Sequence, residues 1–115
     1  METTLPKYRK APKRQSTTVR LSTADHELIQ DIRKATESPS FSWAVSLLLS
    51  EELSAVNAGI RSVDSFVFSD EKRPYIVPLT LSTEDRERLD MLKDFYKVDS
   101  MTNVISHLIK TYGRR

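Results

Sequence analysis

Shifted by 60 positions, the sequence lies on itself: residues 16–54 align with 76–114 without a gap. Eight pairs are identical: Leu21/Leu81, Ser22/Ser82, Thr23/Thr83, Asp25/Asp85, Glu27/Glu87, Ser40/Ser100, Ser46/Ser106 and Leu48/Leu108. Other pairs keep an apolar type, among them Val19/Leu79, Ile29/Leu89, Ile32/Leu92, Phe41/Met101, Val45/Ile105 and Leu49/Ile109. Chance supplies scattered identities but does not hold core positions and caps in register across three elements. The chain is therefore read as a duplication, each copy being one small supersecondary unit that cannot bury its apolar face alone.

Each copy opens with a period-two stretch. Thr17, Val19 and Leu21 fall on one face, with Ser16, Thr18 and Arg20 on the other; Val77, Leu79 and Leu81 likewise oppose Ile76, Pro78 and Thr80. This alternation predicts strands. Pro78 cannot donate to a ladder, which excludes a central strand of a large sheet and suits a two-stranded ribbon.

Helices are expected next. Ser22 and Ser82 are natural N-caps, with Asp25 and Asp85 placed to answer the cap. The expected apolar stripes are Ile29, Ile32 and Ala35 in one copy and Leu89, Leu92, Phe95 and Tyr96 in the other. After polar hinges at 37–39 and 97–99, Ser40 and Ser100 cap second helices. These carry Phe41, Ala44, Val45, Leu48 and Leu49, and Met101, Val104, Ile105, Leu108 and Ile109. Gly59 and Gly113 are candidate stops.

The expected fold is mainly α with a two-stranded antiparallel β-ribbon, a single-chain pseudo-dimer. One strand has no partner within its own unit, and two short helices leave their stripes open. Pairing the two strands antiparallel closes both deficits. The expected organisation is a basic arm (1–14), a first unit (15–58), a linker (59–74) and a second unit (75–115), the two units sharing one core. The linker carries Ile60, Val63, Phe66, Val67 and Phe68, and is read as a cover for that core or as a docking segment.

Composition narrows the function classes. The 115 residues hold 38% hydrophobic residues and no cysteine, which removes disulfides and thiolate metal sites. No apolar run suits a membrane span or signal peptide, so a cytoplasmic protein without membrane association is expected. Net charge is only +2, but Lys7, Arg9, Lys10, Lys13 and Arg14 cluster in the arm. Such a segment suits either phosphate contact or a solubilising tail. No enzyme is expected, nor any metal or cofactor. His26 and His107 sit at non-equivalent repeat positions outside any metal motif and are read as surface or partly buried helix residues. Glycine is confined to Gly59 and Gly113, so no phosphate-binding loop is present. Trp43, which replaces Asn103 of the other copy, suits core packing or a protein contact.

The strand, the Ser-capped helix and the second helix opening at Ser40 or Ser100, repeated at constant spacing, resemble the ribbon-helix-helix family. The resemblance covers about 39 residues of each half. Tandem single-chain forms of that family resemble relaxosome accessory proteins, T-DNA border-processing virulence proteins and some archaeal viral regulators. The resemblance implies sequence-specific binding of double-stranded DNA by a ribbon in the major groove. Base-reading positions would be Ser16, Thr18 and Arg20 in the first strand and Ile76, Pro78 and Thr80 in the second. Arg20 is the only charged residue among them and can bind guanine O6 and N7. Ile76 and Pro78 depart from the usual polar pattern.

Phosphate anchors would be Ser40, Phe41 and Ser42, and Ser100, Met101 and Thr102, at the second-helix starts, where free N–H groups and the helix dipole favour anions. Basic side chains of the arm would add to them. Expected partners are DNA and, beyond it, DNA-processing or regulatory proteins, with the monomer as folding unit and association on DNA allowed. The rival expectation is an antitoxin-like or other protein-interaction module in which DNA contact is secondary.

Overall fold

The computed structural model describes residues 14–113, with the side chains of residues 14 and 15 excepted. Strand β1 (Arg14–Leu21) leads into helices α1 (Thr23–Thr36) and α2 (Phe41–Asn57). A linker containing a short 3-10 turn (Val63–Ser65) precedes β2 (Tyr75–Ser82), which leads into α3 (Thr83–Tyr96) and α4 (Met101–Gly113). The architecture is a tandem β-α-α arrangement, mainly helical, with one two-stranded antiparallel sheet. No described helix is long and apolar enough to cross a membrane.

The strands pair with Ser16 opposite Thr80, Thr18 opposite Pro78 and Arg20 opposite Ile76. Thr18 thus faces its own repeat equivalent, and a pseudo-twofold axis passes through that pair. This is the layout of a dimer made within one chain, ribbon-helix-helix-like in its arrangement. Val19, Leu21, Leu79 and Leu81 are buried on the inner face. Thr17, expected with them, is exposed: it lines an open groove with Leu81, Leu89 and Met101 at the edge of the ribbon.

The caps form as their residue types dictate. The hydroxyls of Ser22 and Ser82 accept the N–H of Asp25 and Asp85 at 3.0 and 3.1 Å. At the far ends, Glu37 (φ 55°) and Lys97 (φ 60°) turn left-handed, a role usually given to glycine. In each copy the next residue closes the turn, Ser38 N–H on the Arg33 carbonyl and Val98 N–H on that of Lys93. Helix α2 ends at Asn57, two residues before Gly59, whose φ of +76° carries the chain away.

The two units interlock. Helix α1 packs more on α4 than on its own neighbour α2, and α2 more on α3 than on its own neighbour α1. The repeated identities Asp25/Asp85 and Ser46/Ser106 join these elements reciprocally. Ser106 Oγ donates to Asp25 Oδ2 (2.7 Å), and Ser46 Oγ donates to Asp85 Oδ1 (3.1 Å). These carboxylates, expected to serve their own caps, reach the other unit; Asp25 also pairs there with Lys110, whereas Asp85 pairs with Arg88 of its own helix α3. Ala35, expected in the apolar stripe, is exposed, and Phe95 is half-buried.

A second polar cluster breaks the pseudo-symmetry. Glu52, on α2, is fully buried and accepts hydrogen bonds from the Tyr96 hydroxyl, His107 Nε2 (2.6 Å), Arg61 Nε (3.1 Å) and the Tyr112 hydroxyl (3.0 Å). His107 is fully buried, correcting the expectation of a surface or partly buried residue. Its Nδ1 accepts the Val67 N–H (3.0 Å), so the ring proton sits on Nε2 and points at Glu52. Phe66 covers this ring, centroids 4.7 Å apart. The linker therefore packs on the core through Phe66, while Ile60, Val63 and Phe68 remain exposed.

Candidate nucleic-acid interface

The strand register places all six sequence-chosen ribbon residues on one outer face, as three cross-strand pairs: Ser16 with Thr80, Thr18 with Pro78 and Arg20 with Ile76. Five of these residues are exposed and Thr80 is half-buried. A pleated strand turns alternate side chains to opposite faces, so burying Val19, Leu21, Leu79 and Leu81 forces their neighbours outward. Strands about 5 Å apart make a ribbon narrow enough for a major groove about 12 Å wide.

Chemistry along this face is graded. Arg20 presents a guanidinium that pairs with no carboxylate among the described residues. Its cross-strand neighbour Ile76 is 57% exposed, an apolar surface beside a cation. The centre is Thr18 and Pro78, and the other end is the hydroxyl pair Ser16 and Thr80. Such a row can offer a bidentate donor, hydroxyl groups and methyl surfaces to base edges.

Helix starts flank the ribbon because α2 packs against β2 and α4 against β1. The Ser40 hydroxyl accepts the Trp43 N–H (3.1 Å) and the Ser100 hydroxyl that of Asn103 (3.2 Å), so both act as caps. Phe41 is buried and Met101 half-buried, which leaves their backbone amides, rather than their side chains, to meet an anion. Ser42 Oγ accepts the Thr80 N–H at 2.8 Å, tying the first turn of α2 to the ribbon. Its hydroxyl proton is still able to donate outward. Thr102, the equivalent of Ser42, is half-buried.

Of the basic residues expected to contact phosphate, Lys7, Arg9, Lys10 and Lys13 lie outside the described residues. Arg14 opens β1 with its Cα opposite Ser82, one residue before the boundary expected for the first unit; its side chain is outside the description. Trp43 is 56% exposed and forms no part of the core, so packing inward is not its role.

One cation was missed in the sequence. Arg73 Nη2 donates to Asn103 Oδ1 (2.9 Å) and to the Ser69 carbonyl (3.1 Å), which fixes a guanidinium at the start of α4. A signal lay just ahead of the repeat: the same 60-residue offset pairs Arg73 with Lys13 of the arm, three positions before the aligned stretch begins. Elsewhere, Glu52 lies in a site of a different kind. Burial alone would push its carboxyl up, but the hydrogen bonds from His107, Tyr96 and Tyr112 outweigh that and hold it at about 2. Burial and the Glu52 charge push the Tyr112 hydroxyl up to about 12. No group of three or more His, Asp or Glu residues among those described is arranged to hold a metal ion.

Comparison with models of known protein families, with curated proteins and with solved structures finds no match to this chain.

Proposed function

We propose that this chain is a sequence-specific double-stranded DNA-binding protein of ribbon-helix-helix type, a binding protein rather than an enzyme. The observation that carries the reading is the shared outer face of Ser16, Thr18, Arg20, Ile76, Pro78 and Thr80. In the proposed complex this ribbon enters the major groove, and Arg20 binds a guanine. The backbone amides at 40–42 and 100–102 meet phosphates on either side, and the basic residues of the arm add further phosphate contacts.

The proposed cellular task, in the cytoplasm, is that of a plasmid- or T-DNA-transfer accessory protein or a transcriptional regulator. A selected site near a transfer origin or border supports the first, and a promoter site the second.

Selection from randomised duplexes, followed by titration of the selected and scrambled duplexes between about 50 and 200 mM salt, tests the reading. We expect a preference that persists while the nonspecific component collapses. No duplex binding even at low salt would turn the reading toward an antitoxin-like protein-interaction module, for which the exposed Ile60 and Phe68 offer surface.

A further inference from the structure

The two shoulders of the ribbon are equivalent in the repeat and unlike in chemistry. On one side, Trp43 stands in the first turn of α2, its main-chain N–H capped by Ser40, its side chain 56% exposed. The adjacent Ser42 holds this turn to β2 through the Thr80 N–H. On the other side, position 103 is an asparagine, and its side-chain oxygen braces Arg73. Arg73 is two residues ahead of β2, whose first residue, Tyr75, faces Leu21. It therefore belongs to the end of the ribbon that carries Arg20 and Ile76. Among the described residues no carboxylate neutralises it.

An exposed indole brings both a flat apolar face and one N–H donor. A deoxyribose and its phosphate offer an apolar ring edge and an anionic oxygen within one nucleotide. A guanidinium braced through both hydrogens of Nη2 keeps its charge and the N–H groups of Nε and Nη1 to donate to a phosphate.

Resting on the DNA-binding reading, we propose that Trp43 and the Asn103-held Arg73 are unlike sugar–phosphate contacts on opposite shoulders of the ribbon, so that the protein binds an asymmetric duplex in a single orientation. The indole packs on a deoxyribose and donates to its phosphate at the Ser16–Thr80 end. The guanidinium binds a phosphate at the Arg20–Ile76 end. The pseudo-twofold fold thereby acquires a polarity along the duplex that base contacts alone need not supply.

Trp43 is the only tryptophan in the chain, so its emission reports on this contact directly. The full chain is titrated with its selected duplex while labelled-DNA anisotropy and tryptophan emission are followed together. We expect emission to change and iodide access to fall in step with binding. An energy acceptor on one duplex end should receive from Trp43, and the same acceptor on the other end should not. Trp43→Ala should weaken binding several-fold and Trp43→Phe less, with circular dichroism unchanged. Arg73→Ala should lower the slope of log affinity against log salt by about one.

Specific binding with unaltered emission and quencher access, and wild-type affinity for Trp43→Ala, overturns the proposal and leaves the DNA-binding reading standing. Equal energy transfer from both ends overturns the single orientation. Failure to bind any duplex overturns both.

Discussion

Positions 20 and 80 are equivalent in the repeat, yet one is Arg and the other Thr, and that difference sits on the face offered to a duplex. Arg20 is exposed and outside the core, so Arg20→Ala leaves no cavity. We expect it to cost about 1–3 kcal/mol on the selected duplex, the scale of one bidentate guanine contact, with a much smaller change on scrambled DNA. Competition titration checks this, and equal losses on both duplexes would remove Arg20 from the base-reading set. Lys97 poses a different question, that of a non-glycine residue held at φ 60°. Relief of that strain is partly offset by the greater freedom of glycine in the unfolded chain. Lys97→Gly should therefore stabilise the protein by about 0.5–1 kcal/mol, read as a higher urea midpoint. A lower midpoint would mean that the Lys97 side chain contributes more than its backbone costs.

At the scale of elements, the strands, the helices and the caps were legible because each rests on local chemistry: alternation, helical stripes and serines at the right offsets. The outer face of the ribbon followed, since one buried strand face dictates the other. What was not legible lies where one element meets another. Nothing local marks Asp25 and Asp85 as links between units rather than cap partners, although their identity in the repeat, shared with Ser46 and Ser106, was a usable signal. His107 replaces Leu47, and Tyr112 replaces Glu52, so the buried cluster has no counterpart across the axis and the repeat could not reveal it. This cluster takes its carboxylate from α2, its other side chains from α3, α4 and the linker, and a backbone N–H from Val67. Breaking it should separate the elements it joins. Glu52→Gln removes the carboxylate charge that pairs with Arg61, and a loss of about 3 kcal/mol is expected in urea unfolding. The depressed Glu52 carboxyl also links stability to pH. Its folded value of about 2 lies below the ordinary 4.5, so its contribution is complete above pH 4.5 and disappears as pH falls toward 2. Glu52→Gln should flatten the stability profile across that window; an unchanged acid limb would assign acid sensitivity to other carboxylates.

The whole molecule is a dimer in layout and a monomer in covalent structure. Its ribbon takes one strand from each unit, and its helices pack chiefly across the unit boundary. Neither half has a complete core, so Val19→Ala or Leu79→Ala, at fully buried inner-face positions, should destabilise the entire chain rather than one unit. In solution without DNA, light scattering should give the mass of one chain, 13.2 kDa. An obligate dimer of twice that mass would point to strands exchanged between chains. Duplication has also freed the two half-ribbons to differ. A homodimer must present the same residues twice, whereas this chain presents Arg20 once and Thr80 in its place on the other strand. The most direct test is therefore selection from randomised duplexes with wild type, Arg20→Ala and Thr80→Arg, each shown by circular dichroism to be folded. We expect an asymmetric site for wild type, loss of discrimination at one half-site for Arg20→Ala, and a shift toward inverted half-sites for Thr80→Arg. If all three folded proteins select the same sequence with the same discrimination, the ribbon is not the reading surface.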